Sequence, residues 1–439
     1  MSDVMVYALQ TTPRLEYTLE VVLGRLLGLS FHITHDPEAW QQYSGAKICY
    51  GNVPVVSPAC VHIPACGLLQ ASGIQAQYPK GHWQEETPGL FAAGNSRDWQ
   101  DDCLATAFYL LSRYEEYLPF EPDRHWRFPA KAAIAVQEKI VHLPVVQLIA
   151  DRLGRQLQSL HSGLVVRRPA FQYLPTYDID LAWAYRYRPW WRQTGGFIND
   201  IRLGRFQMLR ERMAVLSGHQ GDPFDTYQWL EDLHRQTGLP ARFFFLLGDY
   251  SRYDQNHPHH LPAMQHLIKS IAGQHPVGIH PSYASNDHPG QLEKEIKRLE
   301  NIIDQPVRDS RQHFLRLRFP STYRQLPAAG IQRDYSMGFS EITGFRAGIA
   351  VPFPWYDLPA EKQTDLEIHP FQIMDVTLQE YLKYEPDRAL AEMNQLATTL
   401  RQTGGNLVTL WHNSSVTTQP AQLPWRNMYR QWLLEQASK

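Results

Sequence analysis

The sequence predicts an α/β fold, and three observations carry that prediction. Short apolar strands alternate with amphipathic helices after about residue 165, polar residues of chemical use recur where those strands end, and 439 residues exceed what one hydrophobic core usually supports. Strands that alternate with helices form a parallel sheet or a (β/α) barrel, and in either the working residues gather at the strand carboxyl ends. The expected organisation is an amino-terminal α/β or α+β domain over 1–165 and a second domain over 166–439.

In the first domain Val4–Ala8 reads as a strand, and Leu15, Leu19, Val22 and Leu26 mark one face of a helix over Arg14–Leu29. Phe31–Thr34 and Ala46–Tyr50 are further strands. Leu104, Phe108, Leu111 and Tyr114 recur at helical spacing over Asp102–Tyr117, with Asp101 or Asp102 as the cap. Another amphipathic helix spans Pro144–Leu160. No catalytic constellation stands out in this domain. Ser162–Phe171 reads as the connection onward, followed by FQYLPTYDID, ARFFFLLGD, HPVGIHPSY, a helix over Gln291–Ile303, and NLVTLWHN.

Composition narrows the function. The chain is 43% apolar and 20% charged with a formal net charge of −2, so the molecule as a whole attracts neither nucleic acid nor an anionic surface. No apolar run approaches the roughly 20 residues of a transmembrane helix. The start, MSDVMVYALQ, has no basic and apolar leader, so a cytoplasmic protein is expected. Cys49, Cys60, Cys66 and Cys103 lack zinc-ribbon spacing and are expected to be thiols rather than a disulfide framework.

Four strand ends carry chemistry. Asp178 and Asp180 sit two apart in TYDID, and close carboxylates repel unless a cation or shared proton holds them. His280 leaves a strand into a Pro-Ser turn, suitable for a metal ligand. Arg311 and His313, two apart, would share a strand face, the guanidinium pinning a carboxylate and the imidazole ligating or hydrogen-bonding. His412 closes a late strand, where it is placed to donate a proton to a leaving group.

In this order the residues resemble the polysaccharide deacetylase superfamily (NodB homology, carbohydrate esterase family 4), and within it a bacterial branch whose deacetylase-like barrel follows an amino-terminal domain of unknown function. The segments that carry the resemblance run from about Asp101 onward and include LLSRYEEYLPFEPDRHWRF, TYDID, ARFFFLLGDYSRYD, GIHPSY, SRQHFLRLRFPSTYRQL, GFRAG, PFQIMDVTL and LWHN. The resemblance implies a distorted (β/α) barrel of seven or eight strands that removes an acyl group, typically acetyl, from an N- or O-acylated carbohydrate. It implies Asp178 as base, Asp180 and His280 as metal ligands and His412 as acid. The family's second motif has another histidine four residues after the first, where Ala284 stands here. His313 is the candidate for the missing ligand, with Ser282 or water as other options. The arginine that orients the base corresponds to Arg311, Arg318 or Arg346. The cofactor implied is a divalent metal, Zn2+ first, with Mn2+, Co2+ or Ni2+ as others. Trp355, Tyr356 and Trp411 are candidates for a sugar platform. Two other readings remain open: a barrel that binds carbohydrate or serves as a scaffold without catalysis, and another metal-assisted reaction such as glycan hydrolysis or amidohydrolysis. Oligomeric state is not addressed by the sequence.

Overall fold

The computed structural model describes residues 3–438 apart from 53–58, 95 and 97. The chain opens with a parallel sheet of β1 (Asp3–Tyr7), β2 (Ser30–Thr34), β3 (Ala46–Tyr50) and β4 (Val61–Ile63), in the order β2-β1-β3-β4. Between β1 and β2 lies the first predicted helix, shorter than its pattern: Pro13–Leu19 is α-helical and Glu20–Arg25 continues as a π-helix. Thr12 caps it by accepting from the Leu15 amide, with Pro13 in the first turn where a missing N–H costs nothing. A small antiparallel hairpin follows, β5 (His82–Gln84) with β6 (Thr87–Gly89).

Of the two capping candidates it is Asp102 that receives the Ala105 amide, at 2.9 Å, and starts the helix Cys103–Leu111. Arg113 takes a left-handed backbone (φ 52°) and ends that helix, so the predicted continuation to Tyr117 becomes a separate 3₁₀ turn, Tyr114–Tyr117. The amphipathic helix Val145–Leu160 falls where its pattern placed it.

The second sheet has nine strands: β7 (Phe171–Ile179), β8 (Arg242–Leu246), β9 (Val277–His280), β10 (Asp309–Ser310), β11 (Arg333–Asp334), β12 (Phe353–Asp357), β13 (Lys362–Ile368), β14 (Ile373–Met374) and β15 (Gly405–His412). Their order is β12-β13-β11-β10-β9-β8-β7-β15-β14, and every pairing is parallel except β12 with β13. The ladder ends at β12 and β14, and among the described residues no strand pair joins the two, so hydrogen bonding does not close a barrel. The edges account for this. β14 has only two residues, and β12 turns back antiparallel with an irregular register between Pro354 and Tyr356. The apolar core runs without a break from residues before position 165 to residues after it.

Parallel pairing in register sets the stage for the site. Asp178 lies opposite His412, Leu246 opposite His280, and Ile279 opposite Ser310. The carboxyl ends of β7, β9, β10 and β15 therefore come out along one edge of the sheet.

Candidate active site and metal centre

Each strand-end residue arrives with a local anchor. His280 ends β9, and its Nδ1 hydrogen-bonds the Arg311 carbonyl on the neighbouring strand end. A carbonyl can only accept, so in the neutral ring the proton sits on Nδ1 and Nε2 presents its lone pair to the site. β10 stops at Ser310, which means that Arg311 and His313 do not share a strand face as the spacing predicted. His313 instead opens a 3₁₀ turn, His313–Leu315, and its amide donates to the Pro281 carbonyl at 3.1 Å. Phe314 and Leu315 both have positive φ, an unusual backbone for side chains of this size. His313 Nδ1 is held by Asp254 Oδ1 at 2.9 Å, and His412 Nδ1 by Asp375 Oδ1 at 2.8 Å. Asp375 Oδ2 also accepts the His412 amide, so that ring is fixed in position.

The free faces of these groups converge on Asp180. His280 Nε2 lies 3.1 Å from Asp180 Oδ1, His313 Nε2 3.6 Å from Oδ2, and His412 Nε2 3.7 Å from Oδ2. One donor atom each from Asp180, His280 and His313 lie within 4.8 Å of one another. Asp178 stands beside them, 3.7 Å from His280 Nε2, and Arg311 Nη1 donates to its Oδ1 at 3.0 Å. Arg311 is wholly buried and is itself held through the Thr176 hydroxyl, the Tyr335 carbonyl and the face of Phe244.

Charge follows from this geometry. Burial pushes the Asp180 carboxyl upward, but the charge of His313, with that of His412 behind it, outweighs burial and holds the group well below its usual range. Burial likewise pushes His313 downward, yet Asp180 and Asp254 carry it up to about 9. For His412 burial is outweighed by Asp375, then by Asp180 and Asp178, and the imidazole rises to about 10. It therefore holds a proton at neutral pH.

The group contains Asp178, Asp180, His280, His313, His412 and Arg311 from the sequence reading, and leaves out other candidates. The Arg346 side chain spends its donors on Glu116 and the Gly338 carbonyl, and Arg318 pairs with Asp287, so Arg311 alone of the three arginines touches Asp178. The Ser282 hydroxyl donates to Glu295 at 2.5 Å and is fully buried there. Trp355, Tyr356 and Trp411 are buried core residues, Trp411 stacked on Tyr429, and present no platform to a sugar.

Sequence reasoning missed Asp254 and Asp375, and it missed the contribution of the amino-terminal region. Arg124, His125 and Arg127 line the same cavity as Asp178, Asp180, His280, His313 and His412. Arg127, paired with Asp123, donates to the Phe314 carbonyl at 3.0 Å, and Arg316 donates to the His125 carbonyl. The His125 ring packs on Phe314 with centroids 4.7 Å apart. The segments that hold these residues, PDRHWRF, DYSRYD and PFQIMDV, were visible as blocks of family resemblance, without a role for any one side chain.

Comparison with known proteins gives a match to a family model over residues 4–162, and that family, DUF7033, is described as one of unknown function. No curated protein sequence matches the chain. Among solved structures, a Mycobacterium smegmatis protein described as a polysaccharide deacetylase is 13% identical, with a TM-score of 0.39 over 62% of this chain and 85% of that one. The polysaccharide deacetylase Bc1974 from Bacillus cereus is 14% identical, with a TM-score of 0.29 over 61% of this chain and 88% of its own. A mutant of a carbohydrate esterase family 4 pseudoenzyme with restored activity is 14% identical, with a TM-score of 0.25 over 61% and 68%. No helix among the described residues is long and apolar enough to cross a membrane.

Proposed function

We propose that this chain is a metal-dependent hydrolase that removes an acyl group, acetyl first of all, from an N- or O-acylated carbohydrate. Residues 166–439 would be the hydrolase domain and 1–165 an amino-terminal domain that completes its cavity. The observation that supports this most directly is the convergence of Asp180, His280 and His313 on one point, with Asp178 clamped beside them and His412 facing them.

The residues fit a divalent cation. Asp180 Oδ1 is buried and has no hydrogen-bond partner among the described residues, although His280 Nε2 is 3.1 Å away. With the His280 proton on Nδ1, two lone pairs face each other there, an arrangement that repels unless a cation lies between. Two imidazoles and one carboxylate, with the imidazoles oriented through their other nitrogens, suit zinc best, and manganese, cobalt or nickel less well. Held by Asp180, His280 and His313, such a cation would supply polarisation of the acyl carbonyl and a more acidic water.

The rest of the chemistry belongs to the side chains. Asp178 has Oδ1 committed to Arg311 and Oδ2 turned to the site, so it can take the proton of the attacking water without rotating away. His412 then delivers its Nε2 proton to the departing amine or alcohol, while Asp375 stabilises the ring and fixes its direction.

Elemental analysis of protein purified without chelators is the primary test. About one equivalent of metal is expected, falling at least roughly tenfold in affinity in His313→Ala, since a ligand is lost. A protein that carries no metal and takes up none of zinc, manganese or cobalt would refute the hydrolase reading and return the chain to carbohydrate binding. His412→Ala provides a second check. Its loss in rate is expected to be about 100-fold or more for an acetamido sugar, whose amine must be protonated to leave, and far smaller for a nitrophenyl ester. Equal losses on both substrates would remove the acid role.

A further inference from the structure

After β7 the chain forms two consecutive helices, Trp190–Arg202 and Phe206–Leu216, joined by a turn at Leu203–Arg205, before a third helix, Tyr227–Thr237, leads back to β8. An ordinary surface helix turns its apolar side inward. Here the apolar side faces out. Trp190, Ile198, Ile201, Leu203, Phe206 and Met213 are exposed, from 49% at Leu203 and Met213 to 79% at Trp190. Ile198 and Ile201 lie three apart on the first helix, and Phe206 and Met213 lie seven apart on the second, so each set follows one helix face.

The charge of the segment is equally lopsided. Residues 186–216 contain seven arginines against two acids, Asp200 and Glu211, a net +5 within a chain whose total is −2. Both acids are turned to internal work. Asp200 pairs with the buried Arg212 at 2.7 Å, and that pair ties the two helices together. Glu211 accepts from the Tyr185 hydroxyl and the Gln419 amide. Arg202, Arg205 and Arg210 remain exposed, with no acidic residue of the segment left to answer them.

We infer that this helical pair is a docking surface for the face of a bilayer containing anionic phospholipid. Bulky apolar side chains interleaved with arginines on a helix pair that lies flat are what an interfacial segment needs, the first entering the acyl boundary and the second meeting phosphate. Helices of 13 and 11 residues lie in such a plane and are far too short to span it. A second copy of the chain is a poorer occupant, because a self-interface would bring two +5 segments together. Nucleic acid would use the arginines but leave the tryptophan and isoleucines in water.

The pair is also rooted beside the cavity. Asp180 directly follows the strand from which it departs, Asn413, next to His412, holds the Leu181 carbonyl, and Arg192 donates to the carbonyls of Gln255 and Asn256, just after Asp254. Docking through these helices would hold the catalytic edge of the sheet close to the lipid surface. The inference stands on the exposed faces and their charge, independent of the hydrolase reading.

Co-sedimentation of the full chain with phosphatidylcholine vesicles, with and without phosphatidylglycerol, tests it. Binding is expected only where phosphatidylglycerol is present, and salt should weaken it. The triple variant Arg202→Gln, Arg205→Gln, Arg210→Gln should lower the partition coefficient on the order of 100-fold, three exposed cations being removed. Trp190→Ser with Ile198→Ser should lower it as well. Circular dichroism spectra like that of the parent would show that these variants fold, and their metal content should match it too. Absence of binding to phosphatidylglycerol vesicles, or binding that the triple variant leaves intact, overturns the inference. So does a dimer in sedimentation equilibrium that Trp190→Ser abolishes, which would assign the face to a second copy.

Discussion

Replacing Asp178 with asparagine is expected to leave the metal content near that of the parent chain while lowering turnover by roughly 100- to 10,000-fold, the range usual for a lost general base. The two halves of this result have separate causes. Asparagine keeps the shape and an oxygen that can accept from Arg311 Nη1, now 3.0 Å from Asp178 Oδ1, so the buried guanidinium is not abandoned. It removes the only function assigned to the other oxygen, uptake of a proton from water. The donor group of Asp180, His280 and His313 is untouched. Turnover measured against metal content on the same preparation decides the matter. Full activity with metal present would mean that another group is the base, and loss of both together would make Asp178 a ligand rather than a base.

The largest expected loss of stability lies away from the site, at Glu116→Ala. Glu116 Oε1 accepts from Arg113 Nε at 2.8 Å and from Arg346 Nε at 3.0 Å, and Oε2 accepts from Arg346 Nη2 at 2.7 Å. All three side chains are at most 3% exposed. Arg113 closes the loop by donating to the Arg346 carbonyl, and Glu115 takes its remaining nitrogen. Removing that carboxylate leaves Arg113 with Glu115 and the buried Arg346 guanidinium with only the Gly338 carbonyl among the described residues, a net buried charge. Breaking such a pair costs about 3–5 kcal/mol. Urea or thermal unfolding of the variant should show that loss; a change below about 1 kcal/mol would mean that water reaches the network. The pH dependence has a definite sign. Burial raises the Glu116 carboxyl, but Arg346 and Arg113 outweigh it and leave it lowered. Its stabilising effect is therefore complete above the unfolded value of about 4.3 and fades as pH falls below that toward the lowered folded value.

This network also shows what the sequence could reveal. Most strand-end residues were legible because they occupy repeated positions: an apolar run, then Asp178 and Asp180, His280 or His412, whereas Arg311 follows the polar Asp309–Ser310 and was read from its spacing to His313. The helix Gln291–Ile303 was legible to its last residue because an uninterrupted 3–4 spacing leaves one possible face. Arg346 of GFRAG was one of three arginines that the family resemblance could match to the base-orienting one, whereas it binds Glu116 from 230 positions away. No local pattern encodes such a pairing. Asp254 and Asp375 were missed for the same reason, since a lone acid in a loop looks like any solvated one until a histidine is found 2.8–2.9 Å away. The exposed aromatic platform failed in the opposite direction. Trp355, Tyr356 and Trp411 follow apolar strand residues, and alternation alone does not tell which side of a sheet covered on both faces meets solvent.

The turn that presents His313 is held from outside the strand that leads into it. Phe314 and Leu315 adopt left-handed backbone, at a cost of about 1–3 kcal/mol each when nothing compensates. The restraint comes from Arg127 on the Phe314 carbonyl and from the His125 ring against the Phe314 side chain, nearly two hundred residues earlier in the chain. The pocket wall around His313 is thus shared between distant stretches of the chain: Asp254 and the Pro281 carbonyl hold the imidazole and its amide from within the sheet region, while Arg127 and His125 brace the backbone just after it. A substitution at Arg127 or His125 would therefore be felt at His313 without touching any of the groups that converge on Asp180.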